Sequence, residues 1–169
     1  MSGYLSIPVL ALAVVVQSTL VPEARLGGAM PDLVFLLALS WSLMGGFERG
    51  VVWAIVGGVL EDLVSAAPVG TTALGLVVVC FLVSLLLRRV SPRNMVYPAL
   101  AAAAGTPVAH LVVLLVLILT GRPLPLLDLF FYVTLPSMIY NAVVMIPVYR
   151  VMGAFYLASR PRRLDGVSE

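Results

Sequence analysis

The sequence predicts an all-α integral membrane protein of about six transmembrane helices, on three observations. Of its 169 residues, 62% are hydrophobic and only 11% charged, against roughly 45–50% apolar and about 25% charged in an ordinary soluble domain. The apolar residues form runs bounded by Gly, Pro and charge, and a spanning helix needs roughly 20 of them at about 1.5 Å each to cross a hydrocarbon core of about 30 Å. Six such helices consume about 120 residues. Short loops and tails remain, so a single polytopic membrane domain over 1–169 is expected, with any function in the bundle or on its rims.

The first run, about 4–21, lacks the positive n-region of a secretory signal and reads as a retained helix. The second, 32–44, follows Pro31-Asp32 and meets the third, 49–64, at the turn Met-Gly-Gly-Phe-Glu-Arg-Gly. Both are short for ordinary spans, so either two crossings or one re-entrant hairpin fits. The fourth run is 71–87 and the fifth 95–119. The sixth, 129–157, is long and contains Pro136 and Pro147.

All ten basic residues are Arg, and positively charged loops stay on the cytoplasmic side. Six spans with the N-terminus inside place Arg49, Arg88, Arg89, Arg93, Arg150, Arg160, Arg162 and Arg163 inside, leaving only Arg25 and Arg122 outside. Both termini are then cytoplasmic. The net charge of +2 therefore reads as a topology signal and not as a nucleic-acid footprint. The single Cys80 excludes an internal disulfide and a Cys-based metal cluster.

The stretch from Gly57 to Gly70 is the most informative. There an apolar helix meets Glu61 and Asp62 before a turn with Ser65 and Pro68. Acids at membrane depth are expensive and usually serve a purpose. Neighbours on a helix point about 100° apart, so the pair cannot both face the bundle axis, which argues against a paired-carboxylate reaction. Asp62 tying down the following turn is the structural reading; a partner contact or a cavity is the functional one. Asp32 is placed to cap the second helix, and on this topology it shares an outer rim with Glu61 and Asp62. Three acids would then surround one mouth.

Gly50, Ala54, Gly57 and Gly58 form a small-residue stripe, as do Ala101, Gly105 and Ala109. Such stripes let membrane helices approach closely, either within this chain or against a foreign helix. Few polar residues interrupt the apolar runs: Gln17, His110, Tyr140 and Asn141. A lone His110 reads as a hydrogen-bonded bundle residue sooner than as a metal ligand or proton relay. Asn141 is expected to bond backbone groups freed by the flanking prolines. No phosphate loop, HExxH, GxSxG or Cys/His cluster occurs, so neither an enzymatic activity nor a cofactor or metal is expected.

Across Met-Pro-Asp-Leu-Val-Phe and the Gly-Phe-Glu-Arg-Gly to Ala-Leu-Gly stretch, the sequence resembles the rod shape-determining protein MreD family. The residues that carry the resemblance are Pro31, Asp32, Glu48, Gly50, Gly57, Gly58, Asp62, Leu63, Ser65, Pro68, Gly70, Ala73 and Leu74, with Asn141 in the last helix. It implies a noncatalytic inner-membrane subunit of the elongasome, partnered with a single-span MreC-like protein. Through it the chain would be linked to MreB, RodA and a class B penicillin-binding protein, supporting rod shape and lateral peptidoglycan synthesis. It also implies a fold similar to the substrate-binding subunits of energy-coupling-factor transporters. The fifth helix departs from the family pattern, offering Ala-rich sequence and His110 where a basic residue is expected.

The leading expectation is an interaction scaffold, with the second and third helices docking a partner helix beside the acidic mouth. The alternative is a substrate-capture subunit of a small-solute transporter, motivated by the same helix count and by rim acids suited to a cationic ligand.

Overall fold

The computed structural model describes residues 2–19, 30–86, 94–121, 128 and 130–158, and the side chains among them from Ile7 onward. Six α-helices are formed among these residues: α1 Ser2–Thr19, α2 Leu33–Gly45, α3 Phe47–Val64, α4 Thr71–Leu86, α5 Val96–Leu119 and α6 Leu135–Ala158. A π-helical turn, Phe130–Thr134, leads into α6. The expected helices thus recur within a few residues. The expected ends at residues 20–21, 87 and 129 lie outside the described residues, as do eight of the ten arginines, all but Arg49 and Arg150.

Membership of the bundle is easy to explain, because Val, Leu, Ala and Ile dominate every helix and no water competes for backbone groups in an apolar environment. The segments Val96–Leu119 and Phe130–Ala158 are long and apolar enough to cross a membrane. Large apolar side chains cover the outside, among them Leu12, Leu86, Leu111 and Ile139, each at least 65% exposed. Within an otherwise apolar interior lie Ser40, Ser42, Asp62, Thr106, Ser137 and Asn141. Polar groups inside and apolar groups outside suit a lipid surround.

The arrangement is an open ring around one helix. In the order α1, α3, α4, α5, α6 each helix packs on the next, and α2 packs on all five. Ten of the thirteen residues of α2 are buried. At about 1.5 Å per residue it is about 20 Å long, well short of the roughly 30 Å of a hydrocarbon core. Being walled by protein, it does not face that mismatch at a lipid surface.

Two expectations need correction here. The segment Gly46 to Gly50, expected to lie largely in a turn, is almost wholly helical: only Gly46, with φ 85°, separates α2 from α3. A positive φ is readily available to glycine, so one residue reverses the chain. In consequence α3 has 18 residues, about 27 Å, and is not a short helix.

The reversal is locked at that end by aromatic packing. Trp41 stacks on Trp53 at 5.1 Å between centroids and meets Tyr156 edge-on at 5.6 Å. Arg49 sits 5.7 Å from the centre of the Tyr156 ring. The start of α3 and the end of α6 therefore share one end of the bundle, as the six-helix path requires.

The small-residue stripe is consumed within the chain. A Cβ on Gly50 would stand 2.4 Å from Ser42 Cβ, and one on Gly58 would stand 2.3 Å from Ala73 Cα. Gly57 faces Val34 and Leu10, and Ala54 is fully buried. The surface expected to receive a foreign helix is already occupied by α1, α2 and α4. Their close approach is the reason these positions are small.

Candidate functional site

A helix that begins inside a bundle has orphan amides with no water to take them. The head of α2 solves this with three side chains, its own N-cap residue and one each from α1 and α6. Asp32 Oδ1 accepts from Phe35 N at 2.9 Å, the N-cap bond expected from the sequence. Gln17, near the end of α1, places Oε1 to accept from Leu33 N at 2.8 Å and Val34 N at 3.3 Å. Asp32 N in turn donates to Asn141 Oδ1 on α6 at 2.9 Å.

The chain of bonds continues on both sides. Asn141 Nδ2 donates to Thr106 Oγ1 on α5 at 3.0 Å, and Thr106 Oγ1 donates to the Ala102 carbonyl at 2.7 Å. Gln17 Nε2 donates to Glu61 Oε1 on α3 at 2.7 Å. One polar seam therefore links α1, α2, α3, α5 and α6. Glu61 Oε2 is buried and has no hydrogen-bond partner among the described residues. One turn along α5 from Thr106, His110 Nδ1 and Thr134 Oγ1 share a hydrogen bond of 3.0 Å, tying the π-helical turn to α5. His110 is thus a bonded bundle residue.

Asp62 is turned a different way. Only 1% exposed, it accepts from Gly70 N at 2.7 Å and from Thr72 N at 3.0 Å. A carboxylate at the end of α3 therefore caps the start of α4. Gly70 itself has φ 98°, a conformation glycine reaches without the Cβ penalty. The turn is closed by Pro68 O, which accepts from Thr71 N and Thr71 Oγ1. Ser65 Oγ donates to Asp62 O and accepts from Ala67 N.

Asp62→Ala should lower stability by about 1–2 kcal/mol, the usual loss for a helix cap, and Asp62→Asn by less, because the amide oxygen still accepts. Thermal unfolding of the two purified variants checks the order.

The expected acidic mouth is thereby resolved into separate tasks. Asp32 and Glu61 meet through Gln17, whereas Asp62 belongs to the α3–α4 turn. Glu48, exposed in the first turn of α3, lies at the opposite end of that helix. Gly50, Ala54, Gly57 and Gly58 are packing positions. Asn141 does not bond backbone groups freed by Pro136 or Pro147 as expected; its amide is committed to Asp32 N and Thr106.

The sequence reading left out Thr106 and undervalued Gln17. The signal available was an amide and a hydroxyl within apolar runs, and nothing local shows that the two would meet one helix head. Among the described residues, no group of three or more His, Cys, Asp or Glu could hold a metal ion.

Comparison with known proteins gives one finding. The sequence model of a family described as rod shape-determining protein MreD matches residues 2–158, the full path from the start of α1 to the end of α6. No curated protein and no solved structure matches.

Proposed function

The chain belongs to the MreD family of rod shape-determining membrane proteins, and from that premise we propose that it is a non-enzymatic scaffold subunit of the elongasome. In this reading it crosses the bacterial cytoplasmic membrane several times with both termini inside. It holds a single-span MreC-like protein and through it the machinery of lateral peptidoglycan synthesis.

One observation carries the non-enzymatic part of the reading. The buried residues on which the family resemblance rests are spent on architecture: Asp32 caps α2, Asp62 caps α4, and Gly58 brings α3 against α4. Such a set favours a rigid bundle presented to partners over a reacting centre. With the Gly50–Ala54–Gly57 face occupied internally, the partner's helix is assigned to the outward apolar surface. The family match gives no support to the solute-capture alternative.

The test is co-purification. Tagged chain co-expressed with an MreC-like protein should retain it through detergent extraction and size exclusion, while an unrelated polytopic membrane protein should not. Equal recovery on both baits, or none on either, would overturn the scaffold reading.

A further inference from the structure

Glu61 treats its two carboxyl oxygens unequally. Oε1 accepts from Gln17 Nε2 at 2.7 Å, whereas Oε2 has no hydrogen-bond partner among the described residues and is walled off from any group as large as a water molecule. An ion removed from water needs both a counter-charge and hydrogen bonds to its remaining lone pairs. An ionised Glu61 would have one such bond.

The groups around it decide the sign of its surroundings. The helices α1, α2 and α4 pack on α3. Among the described residues α1 brings no titratable side chain, α2 brings Asp32 at its head, α4 brings only Cys80, and α3 itself brings the adjacent Asp62. Both acids lie near enough for their charges to act on Glu61. Asp32 is linked to it through Gln17, whose Oε1 takes the Leu33 and Val34 amides. The described arginines are distant along their helices. Arg49 is 12 residues from Glu61 on α3, about 18 Å. Arg150 is nine residues beyond Asn141 on α6, about 14 Å.

A buried carboxyl among acids is stable only with a cation, and the geometry selects which. Hard metal ions take about six or more oxygen ligands. Here Gln17 Oε1 and Asp32 Oδ1 are spent on amides, and no group of three or more His, Cys, Asp or Glu assembles among the described residues. A Lys or Arg head needs more room than the wall around Oε2 leaves. A proton needs none.

We propose that Glu61 is a proton-binding site of the folded chain, with the proton on Oε2 and Oε1 left to accept from Gln17. The inference goes beyond the scaffold reading and does not depend on it. The residue as a whole is only partly covered, so a small movement of its side chain lets the proton exchange with water. Its loss to water leaves a carboxylate that repels Asp32 at the head of α2.

Infrared spectroscopy of the full chain in lipid at neutral pH tests this. The carbonyl stretch of a protonated carboxyl should be present, shift in heavy water and vanish in Glu61→Gln, which keeps the shape of the neutral acid. Asp62→Asn should retain it. Carbon-13 labelling of glutamate should shift the band, assigning it without any substitution.

Stability gives a second reading. An acid protonated only in the fold binds more protons there than in the unfolded chain, so stability falls as pH rises above the ordinary Glu value of about 4.3. Relative to Glu61→Gln, the wild-type Tm should fall by about 3–5 °C per pH unit and level off where the band disappears.

A wild-type spectrum without the band, or a band unmoved by glutamate labelling, would overturn the site. Stabilisation by sodium or calcium ions that Glu61→Gln abolishes would give the site to a metal ion and overturn the proton. A loss of stability in Arg25→Gln that Glu61→Gln abolishes would give it to an ion pair, with the same result.

Discussion

Gly58→Ala is expected to destabilise the protein severely, and Gly57→Ala one residue earlier distinctly less. On Gly58 the new Cβ meets backbone: Ala73 Cα at 2.3 Å and Ala73 N at 2.5 Å. Neither can rotate away, so α3 and α4 must separate along their contact. On Gly57 it meets side chains, Val34 Cγ1 at 2.6 Å and Leu10 Cδ2 at 3.0 Å; these yield at less cost than backbone, although Val34 is β-branched and buried.

Overpacking a tight interface costs about 1–3 kcal/mol, occasionally more, and Ala gains back about 1 kcal/mol of helix propensity over Gly. At Gly57 the two terms leave a net loss of about 0–2 kcal/mol. At Gly58 the obstacle is backbone and the cost exceeds that range, about 3–4 kcal/mol, so a net loss of about 2–3 kcal/mol is expected, or about 4–12 °C in Tm for a chain of this size. Gly58→Leu should prevent recovery of a monodisperse protein. Unfolding followed by the fluorescence of Trp41 and Trp53 measures both variants. Equal melting of Gly57→Ala and Gly58→Ala would refute the account of the α3–α4 contact.

Gln17→Leu is expected to be the most damaging single change in the polar seam. The replacement nearly preserves shape but strands two amides, Leu33 N and Val34 N, together with the Glu61 oxygen that Gln17 Nε2 serves. A buried group left unpaired costs about 1–3 kcal/mol, so the three together total about 3–9 kcal/mol.

A double-mutant cycle separates the parts. Adding Glu61→Leu removes the stranded carboxyl, so Gln17→Leu with Glu61→Leu should lose less than the sum of the single changes, with a coupling of about 0.5–3 kcal/mol. The loss from the two α2 amides should remain. Strict additivity would show that the bond between Gln17 and Glu61 contributes nothing to the fold.

The membrane bundle was legible because lipid imposes long apolar runs, and those runs appear directly as strings of Val, Leu and Ala. Caps close to their helix were legible for a similar reason. Asp32 sits at the N-cap of α2 and serves Phe35, three residues away; Asp62 reaches Gly70 and Thr72 within ten residues. The π-helical turn before α6 left no readable signal, since Phe-Phe-Tyr-Val-Thr suits an α-helix equally well. The Gly46 reversal was misread as a longer turn because two glycines, Gly45 and Gly46, stand together and only one is needed.

By itself, then, the sequence determined the helix count, the apolar surround and the local caps, all of which rest on interactions between residues close in the chain or between the chain and its solvent. Tertiary structure alone decided that α2 is the enclosed centre. It also decided that the small stripe on α3 is buried against the chain's own helices, and that Gln17, Glu61, Asp32, Asn141 and Thr106 form one seam. Those contacts join residues as much as 109 positions apart. A side chain's polarity announces that it needs a partner, and only the packing of the helices supplies which one.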